Sequence, residues 1–137
     1  YFLISQTKTF DPYDTPDLDL DLYAGLTFSY SGMHIDSLVR TYATYVLVDR
    51  PELGPWYFSH DNKINHLDIR LELALADFNM GYFVSCRDNL QSIYNDTYYQ
   101  SFPSNNPKAL TMNVETVSGR AELAQILQSL QQTLKNI

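Results

Sequence analysis

Three histidines each have an aspartate within two positions: His34-Ile35-Asp36, His60-Asp61 and His66-Leu67-Asp68. On an extended strand, residues i and i+2 share a face, which would set His66 and Asp68 side by side. Such a pair suits two kinds of chemistry. A carboxylate can orient an imidazole for acid–base work, and imidazole nitrogen with carboxylate oxygen can begin a metal site. A metal needs three or four ligands, however, and only folding could unite His34 with His60 and His66. The simpler reading is the polar outer face of an amphipathic strand, so no catalytic and no metal-ligating residue is assigned. A His/Asp-dependent hydrolase stands as the third of three functional readings.

Asp17, Asp19 and Asp21 form a second set. On a strand they would line one face about 7 Å apart, their repulsion relieved by water, a basic strand or a cation. The calcium-loop pattern opens with this spacing but needs Gly sixth and Glu twelfth, and Leu22 and Phe28 hold those places. Cys86 is the only cysteine, so an internal disulfide is excluded. Beside Arg87 it reads as a small buried core residue rather than a nucleophile. The chain has no G-x-S-x-G elbow, no G-K-[ST] phosphate loop, no G-x-G-x-x-G and no H-E-x-x-H. No cofactor is expected, and the balance leans away from an enzyme.

Aromatic residues make up 14% of the chain, including eleven Tyr and one Trp. Tyr94, Tyr98, Tyr99 and Phe102 form one group, and Trp56, Tyr57 and Phe58 another. Tyrosine joins an apolar body to a polar tip, which suits interfaces and ligand cavities. Asp17, Asp19, Asp21, Tyr94, Tyr98 and Tyr99 are therefore the expected partner contacts. Trp56, Tyr57 and Phe58 are the expected lining of a ligand pocket.

Charge narrows the partner. Nine basic residues face sixteen acidic ones, for a net charge of −7, and no Lys or Arg lies between Lys8 and Arg40. Nucleic-acid binding rests on clustered cations that neutralise phosphates, so DNA, RNA and anionic membrane surfaces are disfavoured. A basic protein partner fits better. No apolar run approaches the ~20 residues that cross a bilayer. Asn-rich, Lys-poor composition and an Asn95-Asp96-Thr97 acceptor triplet lean towards an extracytoplasmic domain.

These residues need elements to position them. At 137 residues the chain suits one domain spanning 1–137, with 1–16 readable as an extended N-terminal arm. Leu18, Leu20, Leu22, Ala24, Leu26, Phe28 and Tyr30 alternate with mostly polar residues, the period of a half-buried strand, with a turn at Ser31-Gly32. Val39 to Val48 is rich in β-branched and aromatic residues and reads as a strand. Trp56 to Ser59 reads as a short strand before a polar turn at His60–Lys63. Leu67, Ile69, Leu71, Leu73 and Leu75 alternate again; Asn79-Met80-Gly81 then makes a turn, and Tyr82 to Cys86 returns as a hairpin strand. Asp88 or Asn89 would cap a short helix reaching about Tyr99. Leu110, Met112 and Val114 form a last strand, and a long helix capped by Ser118 carries Leu123, Ile126, Leu127, Leu130, Leu134 and Ile137 as one stripe.

The expected fold is α+β: a mainly antiparallel sheet of about six strands with a short helix and the long C-terminal helix packed on one face. A partly open β-barrel closed by that helix is the alternative. The expected function is a non-enzymatic protein-interaction domain using the acidic strand and a Tyr-rich surface. The second reading is a sensor or carrier with a small apolar ligand held between sheet and helix.

Overall fold

Every second residue is also every fourth, so a strictly alternating apolar pattern contains two i, i+4 rows. It satisfies a helix buried on two opposite sides as well as a strand buried on one. This chain takes the helical solution. The computed structural model describes residues 16–49, 56–57 and 63–137. These form helices α1 (Pro16–Gly32), α2 (Asp36–Asp49), α3 (His66–Asn79), α4 (Phe83–Tyr94), α5 (Thr97–Gln100) and α6 (Val117–Lys135). Between α2 and α3, strands β1 (Trp56–Tyr57) and β2 (Lys63–Ile64) pair antiparallel, with Trp56 opposite Ile64 and Tyr57 opposite Lys63.

Helix α3 is the centre of the molecule, and its leucines show why. Leu67, Leu71 and Ala74 face a core shared with Leu90 and Ile93 of α4 and with Leu123, Leu127 and Leu130 of α6. Ile69 and Leu73, on the opposite side of α3, face Ala24 of α1 and Ala43, Val46 and Leu47 of α2. Two residues advance a helix by about 200°, so the alternation deals its leucines in turn to two cores. Burying each large side chain is worth about 1.5–3 kcal/mol. Asn65 starts the helix with a capping box. Its Oδ1 accepts from the Leu67 and Asp68 amides at 2.9 and 3.2 Å, and Asp68 Oδ2 accepts from the Asn65 amide at 3.0 Å.

The two helical hairpins end their first helices in the same way. After α1, the Ile35 amide donates to the Tyr30 carbonyl at 3.0 Å and the His34 amide to Ser31 at 3.1 Å, with His34 at φ 59°. After α3, the Tyr82 amide donates to Asp77 at 2.8 Å and the Gly81 amide to Phe78 at 3.1 Å, with Gly81 at φ 83°. Both are Schellman turns, which need one left-handed residue. Glycine takes that conformation freely, whereas a histidine there is strained.

Residues 106–113 belong to no helix or strand, yet Leu110, Met112 and Val114, expected as a last strand, are buried. The backbone is held by side chains of α4 instead. The Gln91 amide accepts from the Leu110 N–H at 2.8 Å and donates to the Lys108 carbonyl at 2.8 Å, while Arg87 donates to the Met112 carbonyl at 3.0 Å. Thr116 then caps α6, accepting from the Gly119 amide at 2.9 Å. The helix backbone passes so close to Asn113 that a Cβ on Gly119 would lie 1.8 Å from the Asn113 carbonyl oxygen.

The architecture corrects the α+β expectation. No sheet layer and no barrel exist among the described residues; the four-residue ladder is the whole of the strand pairing. Asp17, Asp19 and Asp21 lie in α1, so the acidic strand is a helical segment. Val39 to Val48 is helical although β-branched, because Val39, Ala43, Val46 and Leu47 are buried at helical spacing and packing overrides propensity. The turn at Asn79-Met80-Gly81 is present, but helices flank it, and Tyr82 to Cys86 opens α4 rather than a strand. The short helix begins at Phe83, not Asp88, and breaks at Asn95-Asp96. The long C-terminal helix and its stripe from Leu123 to Leu134 are where the periodicity placed them, with Thr116 rather than Ser118 as the cap and Ile137 beyond the last turn.

Candidate functional site

Helical spacing on α1 and α2 assembles an aromatic face. Tyr23 and Tyr30 stand two turns apart on α1, and Tyr42 and Tyr45 one turn apart on α2, so each pair lines one side of its helix. Pairing the two helices brings all four rings together around Tyr42. Its ring stacks on Tyr23 at 6.0 Å and 23° and on Tyr30 at 5.7 Å and 10°, and meets Tyr45 edge-on at 6.0 Å. Tyr23 also touches Tyr45 at 5.5 Å. Tyr45 is 49% exposed and the other three are half-buried. Burial, then the neighbouring Tyr30, Tyr45 and Tyr23 hydroxyls, push the Tyr42 phenol above its ordinary value, so that ring is uncharged at neutral pH.

From Tyr45 the face continues into a groove of about 330 Å³ lined by Thr41, Thr44, Met80 and Arg40. On the far side of Arg40 lies a second groove of about 600 Å³, lined by Tyr82, Phe83, Val84, Ser85 and Asn89. Met80, Tyr82 and Val84 are exposed large apolar side chains. Arg40 is held from beneath and above. Its Nε donates to Asp77 Oδ1, and its guanidinium carbon lies 4.4 Å from the centre of the Tyr82 ring. Asp77 is fully buried, and its other oxygen accepts from Ser85 at 2.7 Å and Asn89 at 2.9 Å. One carboxylate thus ties α2, α3 and α4 together, and removing a partner from such a buried charge costs about 3–5 kcal/mol.

Among the described residues, His34 and His66 do not share a site. His34 is exposed in the α1–α2 turn, His60 lies outside the described residues, and His66 is fully buried. The partner of His66 is Asp96, not Asp68: Nε2 meets Asp96 Oδ2 at 2.7 Å, and Nδ1 has no hydrogen-bond partner. Asp96 Oδ1 caps α5 by accepting from the Tyr99 amide at 3.0 Å. Asp68 instead lines a cleft of about 240 Å³ with Glu72, Phe28 and Lys135. Burial raises both carboxyls above their ordinary values. The Asn65 amide and His66 counteract this at Asp68 and the Ser31 hydroxyl does so at Glu72, whereas Glu72 adds to the rise at Asp68. Burial, with Asp77 nearby, pushes the Cys86 thiol up to about 12, so it stays protonated and unreactive. No group of three or more metal-ligating side chains exists among the described residues, and none of their helices is long and apolar enough to cross a membrane.

The expected contact residues are dispersed. Tyr94 and Tyr99 are buried against each other, ring centres 5.6 Å apart, and Tyr98 is half-buried against Phe102 and His66. Trp56 and Tyr57 form β1, and Phe58 lies outside the described residues. Among the described residues the exposed tyrosines are instead Tyr45 and Tyr82, and Tyr45 belongs to the ring cluster of Tyr23, Tyr30, Tyr42 and Tyr45 beside Arg40. Their i, i+7 and i, i+3 spacings were the available signal, and both become visible only when the segments are read as helices. Compared with protein-family models, curated proteins and solved structures, the chain matches none.

Proposed function

We propose that the chain is a helical protein-interaction module whose contact face is the tyrosine stack of the α1–α2 hairpin. The observation that carries this reading is the four-ring cluster around Tyr42, which leaves Tyr45 half exposed in the lining of an open groove. Tyrosines locked against one another present a large amphipathic surface and lose little side-chain freedom when a partner covers them. Tyr, Met and Arg are also the residue types that interfaces favour, and Tyr45, Met80, Tyr82 and Arg40 adjoin here. The part first given to an acidic strand passes to α1, whose opening turns hold Asp17, Asp19 and Asp21.

The test is site-specific photo-crosslinking in cells that make the protein. A benzophenone amino acid replaces Tyr45 in one variant and Gln128, on the exposed side of α6, in another. A discrete adduct with another polypeptide is expected from position 45 and none from 128. No adduct at 45, or the same adducts from both positions, refutes the reading.

A further inference from the structure

We infer that the segment docking on the tyrosine face is basic and carries arginine; this deepens the reading above and rests on it. The first argument is charge. Residues 16–49, which make up both helices of the hairpin, contain Asp17, Asp19, Asp21, Asp36 and Asp49 against Arg40 alone. Arg40 is already engaged by the buried Asp77. A partner laid along this hairpin therefore meets a segment of net negative charge, and a cationic segment is steered to it while an acidic one is repelled. The second argument is the form of the site. The stack offers aromatic ring faces, and a ring face attracts a cation through its quadrupole. Two of the contacts at Tyr42 are near-parallel stacks, at 10° and 23°, a geometry that a flat group can extend. Guanidinium is planar and weakly hydrated, so it lies on aromatic faces more readily than an ammonium does. The molecule already makes this contact twice: Arg40 lies over Tyr82 and Arg120 over Phe83, each 4.4 Å from the ring centre.

The probe is a short alternating Gly–Arg peptide, compared with the same peptide carrying neutral citrulline for arginine and with an alternating Gly–Glu peptide. Binding to the whole chain is followed through the tyrosine ring resonances by NMR. The Gly–Arg peptide is expected to shift the rings of Tyr42 and Tyr45, to bind more weakly as salt is raised, and to outcompete both controls. Tyr42→Leu should weaken it about two- to fivefold. Tyr45→Leu, at a half-exposed ring, should weaken it within the same range if the Tyr42 variant fails to fold. Equal binding of the citrulline peptide, stronger binding of the Gly–Glu peptide, shifts confined to other tyrosines, or unchanged affinity in the leucine variants overturns the inference. A crosslink at position 45 without Gly–Arg binding leaves the contact face standing and discards the arginine partner. Gly–Arg binding without a crosslink discards the face as a protein contact.

Discussion

The two Schellman turns offer a matched pair of substitutions with opposite expected signs. His34 and Gly81 occupy the same left-handed position, at φ 59° and 83°. A side chain in that conformation costs about 1–2 kcal/mol. Glycine escapes the cost but gives up about 0.4–1 kcal/mol through the greater freedom of its unfolded chain. His34→Gly should therefore stabilise the protein by about 0.5–1 kcal/mol, and Gly81→Ala should destabilise it by a similar amount. No atom lies within 4 Å of the Cβ that alanine would add at Gly81, so backbone strain rather than a clash sets that sign. The side chain of His34 is exposed, so little packing is lost with it. Urea unfolding followed by circular dichroism at 222 nm measures both changes, and unchanged m-values would show that the surface exposed on unfolding is the same in all three proteins. A stabilising Gly81→Ala, or a His34→Gly that loses stability, refutes the shared-turn argument.

Asp96→Ala would leave the buried His66 Nε2 and the Tyr99 amide without partners, and thermal or urea unfolding should show a loss of about 2–4 kcal/mol. Gly119→Ala gains about 1 kcal/mol of helix propensity. The contact at 1.8 Å with the Asn113 carbonyl outweighs it, and chemical denaturation should show a net loss of about 2 kcal/mol or more. Asp68 and Glu72 have raised values in the folded state, so folding favours their protonated forms. Their burial penalty is in force at neutral pH and is relieved as pH falls through the raised values, so this pair adds stability as pH falls from neutral into the ordinary carboxyl range. The double variant Asp68→Asn/Glu72→Gln should be more stable at pH 7 and should flatten that part of the stability–pH curve; an unchanged curve contradicts the assignment.

Part of the fold was legible in local sequence. The C-terminal helix could be read because its apolar residues form one stripe on a polar helix, a pattern no strand can bury. The α3–α4 turn could be read from Gly81, since a left-handed position favours glycine. Two further signals pointed to helix. Asn65 and Asp68 have capping-box spacing, and the alternating run that follows is Leu, Ala, Glu and Arg with Ile69 as its one β-branched residue, a helical rather than a strand vocabulary. The tyrosine face was not legible, because Tyr23, Tyr30, Tyr42 and Tyr45 become neighbours only when α1 and α2 are helices packed side by side.

By itself the sequence determined that the chain has a large apolar core, an excess of negative charge and a helical C-terminus, since composition and single-stripe periodicity do not depend on what packs where. Whether the leucines at every second position made a strand with one buried side or a helix with two was decided by tertiary structure. Both conformations bury Leu67, Ile69, Leu71 and Leu73. Only the presence of a core on each side of α3, one built with α1 and α2 and the other with α4 and α6, selects the helix.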